Sequence, residues 1–172
     1  LEQAKDALRF VLERLNPADR FNILTFNDTI DTYAETLRSA ERADEAEDFV
    51  DDLRADSGTN INGALLEALR LLPGERPELV IFLTDGQPTV GIQDPDTIIG
   101  NVSDAVTPST RLFVFGVGDD VNTILLDTLA EENPPVEGRR AIVVLDNASW
   151  HKVKRLNWHH FQQEYLPPRS PD

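Results

Sequence analysis

Apolar residues recur in two rhythms along this 172-residue chain. In Leu1–Leu15 they fall at Leu1, Ala4, Leu8, Val11, Leu12 and Leu15, the spacing of one helix stripe, and Asn16-Pro17 ends it. Phe21–Phe26 (FNILTF) reads as a strand, with Asn27-Asp28 as its turn. Thr32–Leu37 reads as a short, exposed edge strand. Ala40–Leu53 predicts an acidic amphipathic helix with Ala43, Ala46, Phe49, Val50 and Leu53 on one face. Ser57-Gly58-Thr59-Asn60 is a polar loop, and Asn60 or Thr59 caps a helix over Asn62–Leu72. Leu79–Leu83 is an unbroken apolar run with no polar face for water, as in the middle of a parallel sheet. It runs on into Thr84-Asp85-Gly86 and the polar loop Gly86–Pro95. A helix starting at Asp94 or Asp96 reaches about Val106, Arg111–Val117 is another buried strand, and Asn122–Glu132 is a helix. Ala141–Leu145 (AIVVL) is one more apolar strand, ending in Asp146, and Asn147–Leu156 reads as a short basic helix. Asn157–Asp172 has no period and reads as an irregular tail. Alternating strands and helices predict an α/β fold, a doubly wound, mostly parallel sheet built from crossover units.

Composition adds limits. An apolar content of 40% supports one domain with a real core. No apolar run is long enough to span a bilayer, and no charged-then-apolar leader is present in this stretch. The absence of cysteine excludes disulfides and thiolate metal sites. There is no methionine, and Leu1 already stands in helical spacing, so the stretch is expected to be a fragment or to start at a non-standard codon. The net charge of −15 is uneven: residues 1–136 hold 27 acids and 10 bases, residues 137–172 hold 4 acids and 6 bases. The acidic part argues against nucleic-acid binding through a broad basic face. The shift marks a boundary near Pro134–Gly138, where Asn133-Pro134-Pro135 also breaks structure.

Asp85 has two readings: it caps the turn after its strand, or it meets a ligand at the strand's carboxyl end, where open α/β sheets bind. The stretches EQAKDALRFVLERLNPADRFNILTFND, SGTNINGALLEAL, LVIFLTDGQPTVG and RLFVFGVGDDVNTILLDTLAEEN resemble, in order, a von Willebrand factor type A domain. The flavour is that of inter-alpha-trypsin inhibitor heavy chains and their bacterial relatives. The resemblance covers residues 1–133 and implies a Rossmann-like sheet carrying a metal-ion-dependent adhesion site at its carboxyl edge. It implies a magnesium ion, Mg2+, that takes a carboxylate from a partner protein, a role suited to a hard cation with oxygen ligands. By this resemblance the metal ligands are Thr59, the threonine of the second loop, and Asp85, the aspartate of the third; Thr59 is otherwise a helix cap. The family's Asp-x-Ser-x-Ser loop and first, central strand precede the first helix, and this chain begins at that helix. The expectation is therefore a truncated domain with a weak or absent cation site. Relatives of this flavour often work outside the cytoplasm, which implies a secreted or cell-surface parent.

Residues 134–140 read as a junction. Beyond it, AIVVLDNASWHKVKRLNWHHFQQEYLPPRSPD (141–172) resembles the catalytic core of DDE-type insertion-sequence transposases of the mariner-like group. That family holds two divalent ions on three carboxylates for phosphoryl transfer. Asp146 matches the second carboxylate, whereas the first and third would lie outside the chain, so no catalysis is expected. Asp146 otherwise caps a turn after its strand. His151, His159 and His160 read as parts of this remnant, or as solvated or stacked side chains rather than metal ligands.

The two resemblances together imply a von Willebrand type A-like protein-interaction module fused to an inactive transposase remnant, and not an enzyme. Its partner is a protein held through the cation site if that site survives. The alternatives are a transposase fragment completed by another chain, and a non-functional product of a disrupted gene. In the last, the strands flanking the missing centre would keep unpaired backbone groups. Strand 141–145 has two places in a repaired sheet. Chain order favours the edge beside 111–117 through a right-handed crossover, and that is the placement expected. Burial favours the vacant centre, where Asp146 would stand near Thr59 and Asp85 while Ala148 and Trp150 replace the loop's serines.

Overall fold

The computed structural model describes residues 2–54, 58–74, 76–84, 87–116, 122–131 and 141–146. The expected junction at 134–140, the basic helix at 147–156, Asp85 and the three histidines lie outside these residues. Helix α1 is Glu2–Glu13 and strand β1 is Arg20–Phe26. Two short strands, β2 (Ile30–Thr32) and β3 (Arg38–Ser39), both run antiparallel to β1. A 3₁₀ helix over Ala40–Ala46 leads into α2 (Glu47–Asp51). There follow α3 (Ile61–Arg70), β4 (Glu78–Thr84), α4 (Pro95–Ala105), β5 (Thr110–Gly116), α5 (Thr123–Glu131) and β6 (Ala141–Asp146).

The strand order is β2-β1-β6-β4-β5, with β3 also on β1. Strand β6 therefore fills the centre, not the edge beside β5 that chain order favoured. It runs parallel to both neighbours: Ile23 and Ile81 both register with Val143, and Leu24 and Phe82 both register with Val144. Two buried parallel strands side by side without a neighbour would each leave a row of backbone N–H and C=O groups unpaired. One strand between them satisfies both rows, a larger gain than an edge position offers.

The sheet is covered on both faces, as the apolar runs of β1 and β4 require. Ala4, Leu8, Val11, Leu12 and Leu15 of the first helical stripe pack with Phe21, Ile23, Ile81 and Leu83. On the other face α3, α4 and α5 cover Leu24, Phe26, Val80 and Phe82. The rings of Phe26 and Phe82, on the two strands flanking β6, stack at 5.4 Å between centroids. No described helix is long and apolar enough to cross a membrane.

Two elements depart from the sequence pattern. The edge strand expected over 32–37 does not form: 33–37 is irregular chain, with β2 ending before it at Thr32 and β3 starting after it at Arg38. The cause is Asn22, a fully buried residue of β1. Its side-chain Nδ2 donates to the Ala34 carbonyl at 2.7 Å, and its Oδ1 accepts the Ala34 N–H at 3.1 Å. A side chain thus takes over pairing that a continuous ladder would have made. The helix expected over 40–53 is a 3₁₀ segment with a kink at Arg42 (φ −113, ψ 23) followed by one short α-helix.

The centre and the edge make different demands on β6. In a central parallel strand successive N–H groups point alternately to the two neighbours, so each is engaged; at an edge every second one is free. Val143→Pro and Val144→Pro, made separately, should each cost about 3 kcal/mol or more by urea unfolding. An edge strand would tolerate one of the two.

Candidate functional site

The parallel strands end along one edge of the sheet. Asp146 closes β6 level with Phe26 of β1, one residue past the pairing of Leu145 with Leu83. Thr84, fully buried, ends β4 at the same edge and immediately precedes Asp85. The loops that rise here come from the turn after β1, the segment before α3 and the segment after β4.

These loops are tied together by backbone. After β1, Asn27 Oδ1 accepts the Thr29 N–H at 2.7 Å and closes a tight turn. The Asn27 carbonyl accepts the Asn60 N–H at 3.1 Å, binding that turn to the segment before α3. Gly58 has φ +93, and a Cβ there would overlap the Asp28 carboxylate. Only glycine meets both conditions without strain.

Thr59 is 4% exposed. Its N–H donates to Thr89 Oγ1 at 2.9 Å, and its carbonyl accepts the Thr89 N–H at 3.0 Å. The loop after β4 therefore clamps Thr59 from both sides of its peptide. Thr59 does not cap the helix. Asn60 does, accepting the Gly63 N–H on Oδ1 at 3.0 Å. Gly91 (φ +68) lies against the same amide, where a Cβ would come within 2.8 Å of Asn60 Oδ1. Asp94 starts α4 and accepts both the Thr97 hydroxyl (2.6 Å) and the Thr97 N–H (2.9 Å). These bonds hold its carboxyl below its ordinary value, the hydroxyl most strongly.

Of the residues singled out from sequence, Thr59 sits on this edge, and the backbone of Asp146 ends there too. Asp85 lies outside the described residues, one position beyond Thr84. Thr89 was not foreseen. It is a hydroxyl in a polar loop, and only the loop's return to Thr59 gives it a role. Among the described residues no group of three acidic or histidine side chains could hold a metal ion. The arrangement presents a rigid, polar loop surface, with a hydroxyl-bearing residue at its base, beside the ends of the three central strands.

Residues 1–134 match the von Willebrand factor type A domain family. Human inter-alpha-trypsin inhibitor heavy chain H4 is 38% identical over 144 residues, covering 77% of this chain and 16% of that protein. Human heavy chain H6 is 35% identical over 153 residues, covering 81% and 12%. The chain thus spans about a sixth or less of the length of these relatives. A solved von Willebrand factor type A structure from Catenulispora acidiphila superposes with a TM-score of 0.64 at 14% identity, covering 83% of this chain and 33% of that one.

Gly58→Ala should destabilise the protein by about 2 kcal/mol in urea unfolding, because it adds an unfavourable backbone conformation to a collision with Asp28. The Asp94 cap has a depressed carboxyl pKa, so its stabilisation is present above the ordinary carboxylate range and is lost as pH falls through the depressed value. Asp94→Ala should flatten that part of the stability–pH curve, measured by thermal melts.

Proposed function

Because the chain belongs to the von Willebrand factor type A family, we propose that it is a protein-interaction module working through the carboxyl edge of its sheet, with little remaining dependence on a cation. The observation that carries this reading is the register of β6 with both β1 and β4. It closes the sheet and brings Asp146 to the edge beside the loop that fixes Thr59.

Thr59 and Asp85 are the residues that would hold a magnesium ion, with Asp146 a third candidate from the central strand. Magnesium takes six oxygens in a near-ideal octahedron. The segment after Asp146 reads Asn147-Ala148-Ser149-Trp150. Alanine and tryptophan supply no side-chain oxygen at the two positions where the family's loop carries serines. One hydroxyl and two carboxylates leave that donor set short, so the residues present do not fit a tight magnesium site. The contact with a partner protein then rests on the loop surface itself.

Residues 141–172 keep their resemblance to a transposase core as part of this proposal, with Asp146 as a lone carboxylate. Two-metal phosphoryl transfer needs its ions held from several sides, so the segment is inactive in strand transfer. Its present use is to lend the sheet a strand.

Millimolar-range magnesium should raise the melting temperature of the chain by less than about 2 °C, since a ligand near or below its dissociation constant adds little stability. The variant Ala148→Ser/Trp150→Ser should rise by about 5 °C or more under the same conditions. A large magnesium shift in the unaltered chain would overturn the loss of cation dependence. No shift in the double variant would separate Asp146 from the family's metal position.

A further inference from the structure

The 3₁₀ helix over Ala40–Ala46 sorts its side chains by threes, because residues three apart eclipse in such a helix. Ala40 and Ala43 form one row, continued by the fully buried Ala46. Glu41 and Asp44 form a second, continued by Glu47 at the start of α2. Arg42 and Glu45 form the third and pair with each other, Nη2 to Oε2 at 2.7 Å. A groove of about 360 Å³ runs between the first two rows and α1, and the self-paired third row does not line it. Leu12, Ala40 and Ala43 give the groove an apolar floor. Glu13, Glu41, Asp44 and Glu47, all exposed, give it a rim. None of these four carboxylates is in an ion pair with a described residue. Arg9 also lines the groove, but its guanidinium donates to Asp51 at 2.6 Å and to Asp6 at 3.1 Å, which commits its charge away from the rim.

We propose that this groove is a second interaction surface, which takes an extended basic segment of a partner protein with arginine or lysine at every second position. It is separate from the carboxyl edge: it lies near the other end of β1, where Ser39 pairs with Arg20 and the Ala40 N–H donates to the Asp19 carbonyl. The repeat of the rim selects the partner. Successive members of the Glu41, Asp44, Glu47 row stand about 6 Å apart, three rises of a 3₁₀ helix. Alternate side chains of an extended chain share one face and stand roughly 6.6 Å apart. The mismatch is well within the reach of a flexible basic side chain. The aliphatic stem of each base lies on the alanine floor while its charged head reaches the rim, so burial and charge pairing act together. Pairing also relieves the mutual repulsion of neighbouring carboxylates. The balance of 27 acids to 10 bases over residues 1–136 draws such a segment in from a distance. The volume suits side chains rather than a whole helix, being at the lower end of the range of ligand clefts, about 300–1,000 Å³.

The test titrates the isotope-labelled full chain with the peptide acetyl-Arg-Gly-Arg-Gly-Arg-amide at low ionic strength and follows backbone amide shifts by NMR. The shifts should saturate and concentrate at Leu12, Glu13 and residues 40–47. The peptide acetyl-Gly-Arg-Arg-Arg-Gly-amide has the same composition and charge but turns successive bases to opposite faces when extended, and it should bind about fivefold more weakly. Glu41→Gln/Glu47→Gln should weaken the alternating peptide about fivefold, the loss of two exposed ion pairs. Ala43→Leu keeps the charge and fills the floor, and it should also weaken binding severalfold. Asp104→Asn/Asp127→Asn, the same neutralisation on exposed positions of α4 and α5 across the sheet, should leave it unchanged. The two peptides are compared on the unaltered chain, so that result stands even if a groove variant fails to fold. Equal affinity for the two peptides would overturn the proposal, since only net charge would then be read. So would the absence of saturable shifts, shifts centred on Thr59 and Thr89 at the carboxyl edge, or equal losses from the two variant pairs.

Discussion

Backbone hydrogen bonding at the middle of the sheet is the demand on which the rest of the structure depends. Strands β1 and β4 are buried on both faces, so water cannot reach the peptide groups along their facing edges. Strand β6 meets both edges in register. With that slot filled, the helices have a continuous floor. Helix α1 and the 3₁₀ helix cover one side and α3, α4 and α5 the other. The stacked rings of Phe26 and Phe82 lock the strands on either side of β6 to each other.

The two ends of the sheet are built differently, and this separates structural from functional polarity. At the amino end of β4, Glu78 is a buried carboxylate, 1% exposed. It accepts the Gly74 N–H at 2.7 Å and the Thr110 hydroxyl at 3.2 Å, which fastens β4 to β5 and to the preceding turn. At the carboxyl end the polar groups fix loop backbones instead. Thr89 holds Thr59, Asn27 holds Asn60, and Asn60 holds α3. The first end is closed by its own hydrogen bonds. The second is a shaped surface of tied loops.

Most of the fold could be read from the order of apolar residues. The stripe of α1 and the runs in β1, β4, β5 and β6 all became the elements they predicted, because each is dictated by which side chains must leave water. Three features could not be read this way. The break between β2 and β3 depends on one buried amide, Asn22, whose partner Ala34 is set by tertiary approach. The kinked 3₁₀ helix follows a segment so rich in charge that its apolar face alone does not define a helix type. The slot taken by β6 turns on competition between a short connection and unsatisfied neighbours, which local pattern does not weigh. At the candidate site, Thr59 was visible through the resemblance carried by its loop, whereas Thr89 acquires its role only once two distant loops meet.

The position of β6 also governs how this chain can fold during synthesis. Phe21 pairs with Ala141, about 120 positions later, and the other β1–β6 pairs are as distant. Strands β1, β4 and β5 and the described helices leave the ribosome before the strand that joins them exists. Until it arrives, the nascent chain carries a cleft bounded by two apolar strand edges, the kind of surface that recruits chaperones or a neighbouring chain. Contacts so far apart in sequence also make closure slow, since the loop entropy is lost before the pairing is gained. Strand β6, made after the other described strands, is the one that ends this exposure, which ties solubility during synthesis to the speed of a single insertion step.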